Sequence, residues 1–313
     1  MSNTTQLGLA TQTSSNWVGF FHLLVVYIVW GSTYLAIRVA VREGSGFPPF
    51  TMGALRLLFA GCILLLGAFL FRQALKLSWQ EFKILAVSGN FLWIGGNGLV
   101  MWAEQFADSG YAALLVGTTP MWVALTEAIL DRKPPSKLLL FSLFVGFAGI
   151  GLLTSPVLKE SSQADVLSVI ALLTAPLCWG LGSLLQRRKP VALNPIVSSG
   201  YQQVFGGIGF AILALVLGEP SPAPTNEAWW AFGYLVVFGS FLAFTSYIMA
   251  LRLLPTSIVM TYAYVNPVVA VFLGWFILHE PINAWTIAGT ALVLLGVAGT
   301  FQNQKAKMAV HKT

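Results

Sequence analysis

The chain is poor in charge and nearly devoid of cysteine and histidine. Of its 313 residues only 9% are charged, too few to solvate the surface of a globular domain of that length. The 2 cysteines, Cys62 and Cys178, fall inside apolar runs rather than loops. That excludes a disulfide framework and leaves them as small packing residues. The 3 histidines, His22, His279 and His311, form no HExxH or metal-ligand spacing, and no polar segment could hold a catalytic domain. An enzyme, a resident metal and a cofactor are therefore not expected. The polar residues 1–17 lack the basic stretch and small-residue cleavage site of a secretory signal, so the first apolar run is expected to be retained as a helix.

What the chain has instead is apolar length. It is 57% hydrophobic, with apolar runs near 18–37, 50–71, 84–103, 109–130, 138–155, 166–186, 195–217, 228–251, 254–278 and 282–301. Each is long enough for a bilayer-crossing helix of roughly 20 residues. The pattern predicts an all-α polytopic membrane protein with ten transmembrane helices and short cytoplasmic tails at 1–17 and 302–313. The net charge of +6 does not point to nucleic acid, because the basic residues sit in alternate loops. Arg72, Lys76, Lys83, Arg132, Lys133, Lys137, Arg187, Arg188, Lys189, Arg252, Lys305, Lys307 and Lys312 fall on one side; Arg38, Arg42 and Lys159 fall on the other. Such asymmetry predicts both termini in the cytoplasm.

The two halves echo one another. "VWGST" at Val29 to Thr33 has a counterpart in "CWGLGS" at Cys178 to Ser183, and "PFTMGALRLLFAG" from Pro49 lies over "PIVSSGYQQVFGG" from Pro195. Pro120, Pro134 and Gly149 match Pro267, Pro281 and Gly296 at a constant offset of 147. Five helices per copy is an odd number, so the second copy, 166–301, enters the membrane from the side opposite to the first, 18–155. Inverted repeats of this kind can rock about a central cavity and open it to each side in turn.

"IVWGSTYLAIRVAV" in the first helix, "YAYVNPVVAVFLGWFILHEP" in the ninth and "GTALVLLGV" in the tenth resemble the EamA family of the drug/metabolite transporter superfamily, in its bacterial metabolite-exporter branch. The resemblance covers nearly the whole chain. It implies an inner-membrane carrier that exports amino acids or similar small metabolites. At His279-Glu280-Pro281 the acid is typical of the family, whereas the first repeat has Lys133 before Pro134.

Polar and helix-breaking residues inside the apolar runs are the candidate site. Proline in a helix interior removes one backbone hydrogen bond and blocks another, and in lipid the freed carbonyl needs another partner. Pro120 and Pro267 fall near the middle of the fourth and ninth runs; they are expected to kink those helices, as packing features or as gates lining a cavity. Thr119, Asn266 and Tyr262 stand beside them as repair groups or substrate contacts. Arg56 is costly in lipid and is expected to face the bundle interior. Asn90, Asn97 and Glu104 recur every seven residues, predicting one polar face for substrate contact or interhelical bonding, with Trp93 and Met101 as apolar filling. Arg56 is expected beside Asn97, with Glu104 as a resting partner through water; its counterpart in the repeat is Gln202. Trp30 and Trp179 are anchors or cavity walls. Glu104, Glu127 and His22 are candidate groups for proton coupling, with interface packing as the alternative for Glu127, beside Arg132, and for His22. Glu280 and Pro281 precede the tenth run, as its N-terminal cap or as an external gate. The competing functions are a broad efflux pump for aromatic or cationic drugs and a non-transporting receptor or scaffold.

Overall fold

The computed structural model describes the backbone of residues 3–132, 134, 136–160 and 163–310, and side chains over most of 17–302. Lys133, His311, Lys312 and Thr313 lie outside the described residues, as do the side chains of Lys159, Lys305 and Lys307. Among the described residues the chain is helical throughout, with no strand. We number the helical segments in chain order: α1 Asn3–Val41, α2 Pro49–Leu70, α3 Trp79–Ala103, α4 Ser109–Leu130, α5 Lys137–Glu160, α6 Gln163–Arg188, α7 Pro195–Val216, α8 Asn226–Leu253, α9 Thr256–Val259 with Tyr262–Leu278, and α10 Ala284–Val310. Seven of them, all but α5, α9 and α10, are long and apolar enough to cross a membrane. Those three carry shorter apolar stretches at Lys137–Leu152, Val265–Leu278 and Ala284–Gly299. Helix α1 starts well before its apolar run, so the expected tail 1–17 is largely helical.

The starts of these helices follow from local chemistry. Pro49 and Pro195 open α2 and α7, where a missing N–H costs nothing. Ser78 and Glu81 form a reciprocal capping box on α3. Thr225 Oγ1 accepts from Ala228 N at the start of α8, and Asn283 Oδ1 accepts from Thr286 N at the start of α10. Helices α2, α4, α7 and α9 all end on a residue in the left-handed region: Arg72, Arg132, Gly218 and His279.

Packing follows one rule. Each of α2, α4 and α5 lies against the helix five places later, α7, α9 and α10; α1 packs on α8 and α9 just as α6 packs on α3 and α4. The counterpart pairs run antiparallel and touch through glycine. A Cβ on Gly61 of α2 would lie 2.9 Å from the Gly200 carbonyl of α7, and one on Gly296 of α10 would lie 2.5 Å from the Gly146 Cα of α5. Small residues let backbones meet where lipid supplies no hydrophobic drive for association.

Regular geometry is interrupted at matching places. In α3 the stretch Phe91–Gly98 is π-helical, and in α8 so is Leu235–Ala243. Helix α4 breaks at Gly117 and Thr118, and α9 at Met260 and Thr261. The prolines do not act alike, contrary to the expectation of paired mid-helix kinks. Pro120 occupies the first turn of the second piece of α4, Thr119–Leu130, a position that tolerates proline, whereas Pro267 lies inside a continuous piece of α9 and the break precedes it.

The two ends of the bundle differ in charge. Glu43, Glu104, Asp108, Glu219, Glu227 and Glu280 gather with Arg38 and Arg42 at the end holding the α1–α2 loop, here called the acidic end. Arg72, Lys76, Arg132, Arg187, Arg188, Lys189 and Arg252 gather at the other, the basic end.

Candidate functional site

A narrow cavity lies in the middle of the bundle, toward the acidic end, between α1, α2, α3, α4, α6 and α9. Six of the residues singled out from sequence line it together: Trp30, Arg56, Asn97, Trp179, Tyr262 and Asn266. Its volume open to water centres is about 60 Å³. At roughly 10–15 Å³ for each water, that is room for a few waters but not for a metabolite.

Arg56 is 2% exposed. Its Nε donates to Ser240 Oγ at 2.6 Å and its Nη1 to Asn97 Oδ1 at 3.3 Å. Its guanidinium carbon stands 5.5 Å from the Trp93 ring centroid, a cation–π contact that gains strength where water is excluded. No carboxylate among the described residues comes within ion-pair distance of it. The π segments set this geometry: Trp93 and Asn97 belong to the one in α3, Ser240 to the one in α8. A π turn takes about one residue more than an α turn, so the seven-residue recurrence of Asn90, Asn97 and Glu104 does not make a single face. Asn97 reaches Arg56, Asn90 Nδ2 donates back to its own helix at the Ala86 carbonyl, and Glu104 follows the end of the helix, its backbone carbonyl accepting from Arg38 Nη1.

The floor of the cavity is aromatic. Trp30 and Trp179 meet edge to face with centroids 5.2 Å apart, and Trp30 meets Tyr262 at 5.5 Å and Tyr247 at 4.9 Å. Such pairs add about 0.5–1.5 kcal/mol each beyond area burial. Trp30 Nε1 donates to the Gly239 carbonyl and Trp179 Nε1 to Tyr247 Oη, which also bonds Ser183 Oγ at 2.7 Å. Trp93 Nε1, by contrast, is buried without an acceptor among the described residues.

The broken helices are repaired as their neighbours suggested. Pro120 leaves the Val116 carbonyl without its usual donor, and Thr119 Oγ1 supplies one at 2.6 Å. Thr119 is buried in this role and does not line the cavity. Asn266, with its amide nitrogen turned to its acceptors, donates to the carbonyls of Tyr262 and Tyr27 at 3.2 Å each, tying α9 to α1.

Other expected site residues lie elsewhere. Gln202 is buried at the α3–α7 crossing and donates to Ser88 Oγ at 2.8 Å. His22 Nδ1 bonds Ser246 Oγ at 3.0 Å, and Glu127 receives Arg187 Nη1 at 3.0 Å. Both stand toward the basic end, away from the cavity.

Glu280 does not cap the tenth helix. Its Oε1 accepts from Ser109 N at 2.9 Å and Ser109 Oγ at 2.7 Å, and its Oε2 from Gly110 N at 3.0 Å. It therefore caps α4 from across the bundle, and Asp108, at the N-cap position, makes no capping bond. The cause is geometric: left-handed His279 turns the chain sharply after α9, and antiparallel packing places that turn at the start of α4. Glu219 does the same after α7, accepting from Phe50 N and from Thr51 N and Oγ1 at the start of α2. Glu104 is fully buried beside this cap. No direct bond joins it to Arg56: Arg38 Nη1 donates at 2.6 Å to its backbone carbonyl, and both its carboxylate oxygens lack a hydrogen bond among the described residues.

Of the cavity's functional groups, sequence reasoning took Trp93 for filling and passed over Ser240, Tyr247 and Tyr34. The Gly95-Gly96 pair just after Trp93 was the available signal for irregular backbone.

Known proteins resemble this chain throughout. The description "EamA-like transporter family" matches residues 17–155 and again 166–302. The "Uncharacterized inner membrane transporter YedA" of Escherichia coli is 33% identical over 258 residues, covering 82% of this chain and 81% of that protein. The "Uncharacterized transporter YoaV" of Bacillus subtilis is 23% identical, covering 88% and 94%, and "Protein PecM" of Dickeya dadantii is 26% identical, covering 88% and 92%. A solved structure titled only "Crystal structure of protein" superposes with a TM-score of 0.63 at 20% identity, over 92% of this chain and 96% of its own, a likeness of fold. A membrane bundle matched twice along its length, with relatives named as transporters, belongs to the EamA-like transporter family of the drug/metabolite transporter superfamily.

Proposed function

We propose that this transporter exports small carboxylate-bearing metabolites, amino acids or related compounds, across the inner membrane by alternating access. In this reading all ten helices cross the bilayer as two inverted five-helix repeats, 18–155 and 166–301, with both termini cytoplasmic and the acidic end outside. The antiparallel counterpart pairs and matched π segments support the inverted repeat, and the crowding of Lys and Arg at the basic end supports the orientation. Rocking would take place about the breaks before Pro120 and Pro267, which is the gating role assigned to them.

One observation carries the substrate class. Arg56 is a buried guanidinium without a carboxylate partner among the described residues, in a cavity also lined by Trp93, whose N–H lacks an acceptor among them. An always-charged donor fork of this kind suits a carboxylate, and the aromatic floor suits an apolar or aromatic side chain. The same charge opposes a cationic drug. Solute flux by purified protein in liposomes separates a carrier from a receptor, which would bind without flux. Arg56→Gln keeps hydrogen-bond donors but removes the charge. It is expected to cost about 1.5–3 kcal/mol of carboxylate recognition, seen as a ten- to hundredfold loss in affinity for an amino acid and little change for its amide. Equal affinity and rate for both solutes in parent and variant would make Arg56 a structural charge.

A further inference from the structure

Glu104 is a fully buried carboxylate for which neither the fold nor the cavity shows a use among the described residues. It follows α3 directly, is 0% exposed, and neither oxygen meets a donor among the described residues. The groups around it explain why its charge is disfavoured. From α1, Arg38 spends its Nη1 on the Glu104 carbonyl and holds Nη2 4.0 Å from Asp108. Tyr34, also from α1, is in electrostatic reach and lines the cavity. From the turn after α9, Glu280 opposes a second negative charge, while Arg38 favours one. Glu280 itself is held by three donors at the start of α4, where the titratable side chain is Tyr111. On α2 the charged group is Arg56, engaged with Asn97 and Ser240. On α6 the side chain of Asp165 lies outside the described residues.

A buried carboxylate without hydrogen bonds is far cheaper neutral than ionised, whereas one in contact with water ionises readily. We infer that Glu104 binds a proton whenever the acidic end is packed shut and releases it when that end opens to water. Closing converts the carboxylate plus one proton from the surrounding water into a carboxylic acid; opening reverses this, and Arg38 is placed to turn from the backbone carbonyl to the exposed carboxylate. The inference takes the opening step from the alternating-access reading above and makes it depend on pH: acid favours the shut form and alkali the open form.

The test needs no substrate. In detergent-solubilised protein with Cys62 and Cys178 replaced by alanine, Ile37→Cys places a thiol in the buried upper wall of the cavity. A second protein with Ser221→Cys in an exposed loop corrects for thiol ionisation. The corrected maleimide labelling rate of Ile37→Cys is expected to rise with pH, by up to tenfold per unit for a single proton. With Glu104→Gln added it should stay low and flat, and with Asp108→Asn the pH dependence should persist with a shifted midpoint. A flat profile in the Ile37→Cys protein overturns the inference without the Glu104 variant needing to fold, and an unchanged slope in Glu104→Gln assigns the proton to another group. Either failure leaves the flux comparison at Arg56 intact, whereas failure of that comparison leaves the labelling profile standing.

Discussion

The acidic and basic ends use the same backbone device with different chemistry. At each end two helices finish on a left-handed residue: Gly218 and His279 at the acidic end, Arg72 and Arg132 at the basic end. At the acidic end the next residue is glutamate, Glu219 or Glu280, and each carboxylate reaches across to the N-terminus of the counterpart helix. At the basic end the next residue after Arg72 is Gln73, whose Oε1 merely accepts from Asn194 Nδ2 at 3.0 Å; the residue after Arg132 is Lys133, outside the described residues. Charge-assisted bonds are roughly twice as strong as neutral ones, and an anion at a helix N-terminus gains from the dipole as well. A repeat that is symmetric in backbone is therefore fastened unequally, and the acidic end holds tighter in this conformation.

The comparison breaks most directly at Glu280. Glu280→Ala strips the acceptor from three donors at the start of α4 and is expected to lower stability by about 3 kcal/mol, combining a lost cap with buried unsatisfied N–H groups. Thermal unfolding in detergent measures this, and labelling of Ile37→Cys should accelerate in the same variant. An unchanged unfolding midpoint with unchanged labelling would mean that the acidic end is closed by packing alone.

A smaller difference sharpens it. Glu219 is half-buried, so Glu219→Ala should cost about 1 kcal/mol, and Gln73→Ala, which removes an exposed neutral bond, should stay within about 0.5 kcal/mol. If unfolding ranked Gln73→Ala level with Glu219→Ala, the charge on the acidic-end turns would contribute nothing beyond shape.

How far this could be read from sequence depended on the range of the forces involved. Apolar length, Pro49 and Pro195 at helix starts, and the need of Arg56 for polar company are local or one-body properties, and they led to the helix positions and to six residues of one cavity. Thr119 was legible for the same reason, since a hydroxyl beside a proline can reach only nearby carbonyls. Glu280 was not: whether it caps the helix after it or one across the bundle is decided by antiparallel packing of α4 on α9. The π segments were hidden as well, because one extra residue in a turn leaves composition untouched while rotating Asn90 away from Asn97. Gln202 shows the limit of reading by repeat: aligned with Arg56 in sequence, it bonds Ser88 at a helix crossing, whereas Arg56 bonds Ser240 and Asn97 at the cavity.

The smallest expected effect concerns Asp108, which stands where α4 would ordinarily be capped by its own preceding residue but is displaced by Glu280. Partial burial and the nearby Glu280 charge push its carboxyl above the usual aspartate range, and Arg38 offsets only part of this. A group with a raised folded value binds its proton more tightly in the native state than in the unfolded one. Stability is therefore lost as pH rises from the ordinary aspartate range through the raised value, and the full penalty is present above it. Asp108→Asn removes the charge and so should stabilise the protein at neutral pH while changing nothing at pH values below the ordinary range. The side chain is 41% exposed, so solvent screens the repulsion and the gain should stay below about 1 kcal/mol. Unfolding midpoints of parent and variant should converge in acid and separate as pH rises through that window, then run parallel. A variant that is less stable than the parent at neutral pH would mean that Asp108 stabilises the end through Arg38, and that Glu280 is not the group that decides the charge balance there.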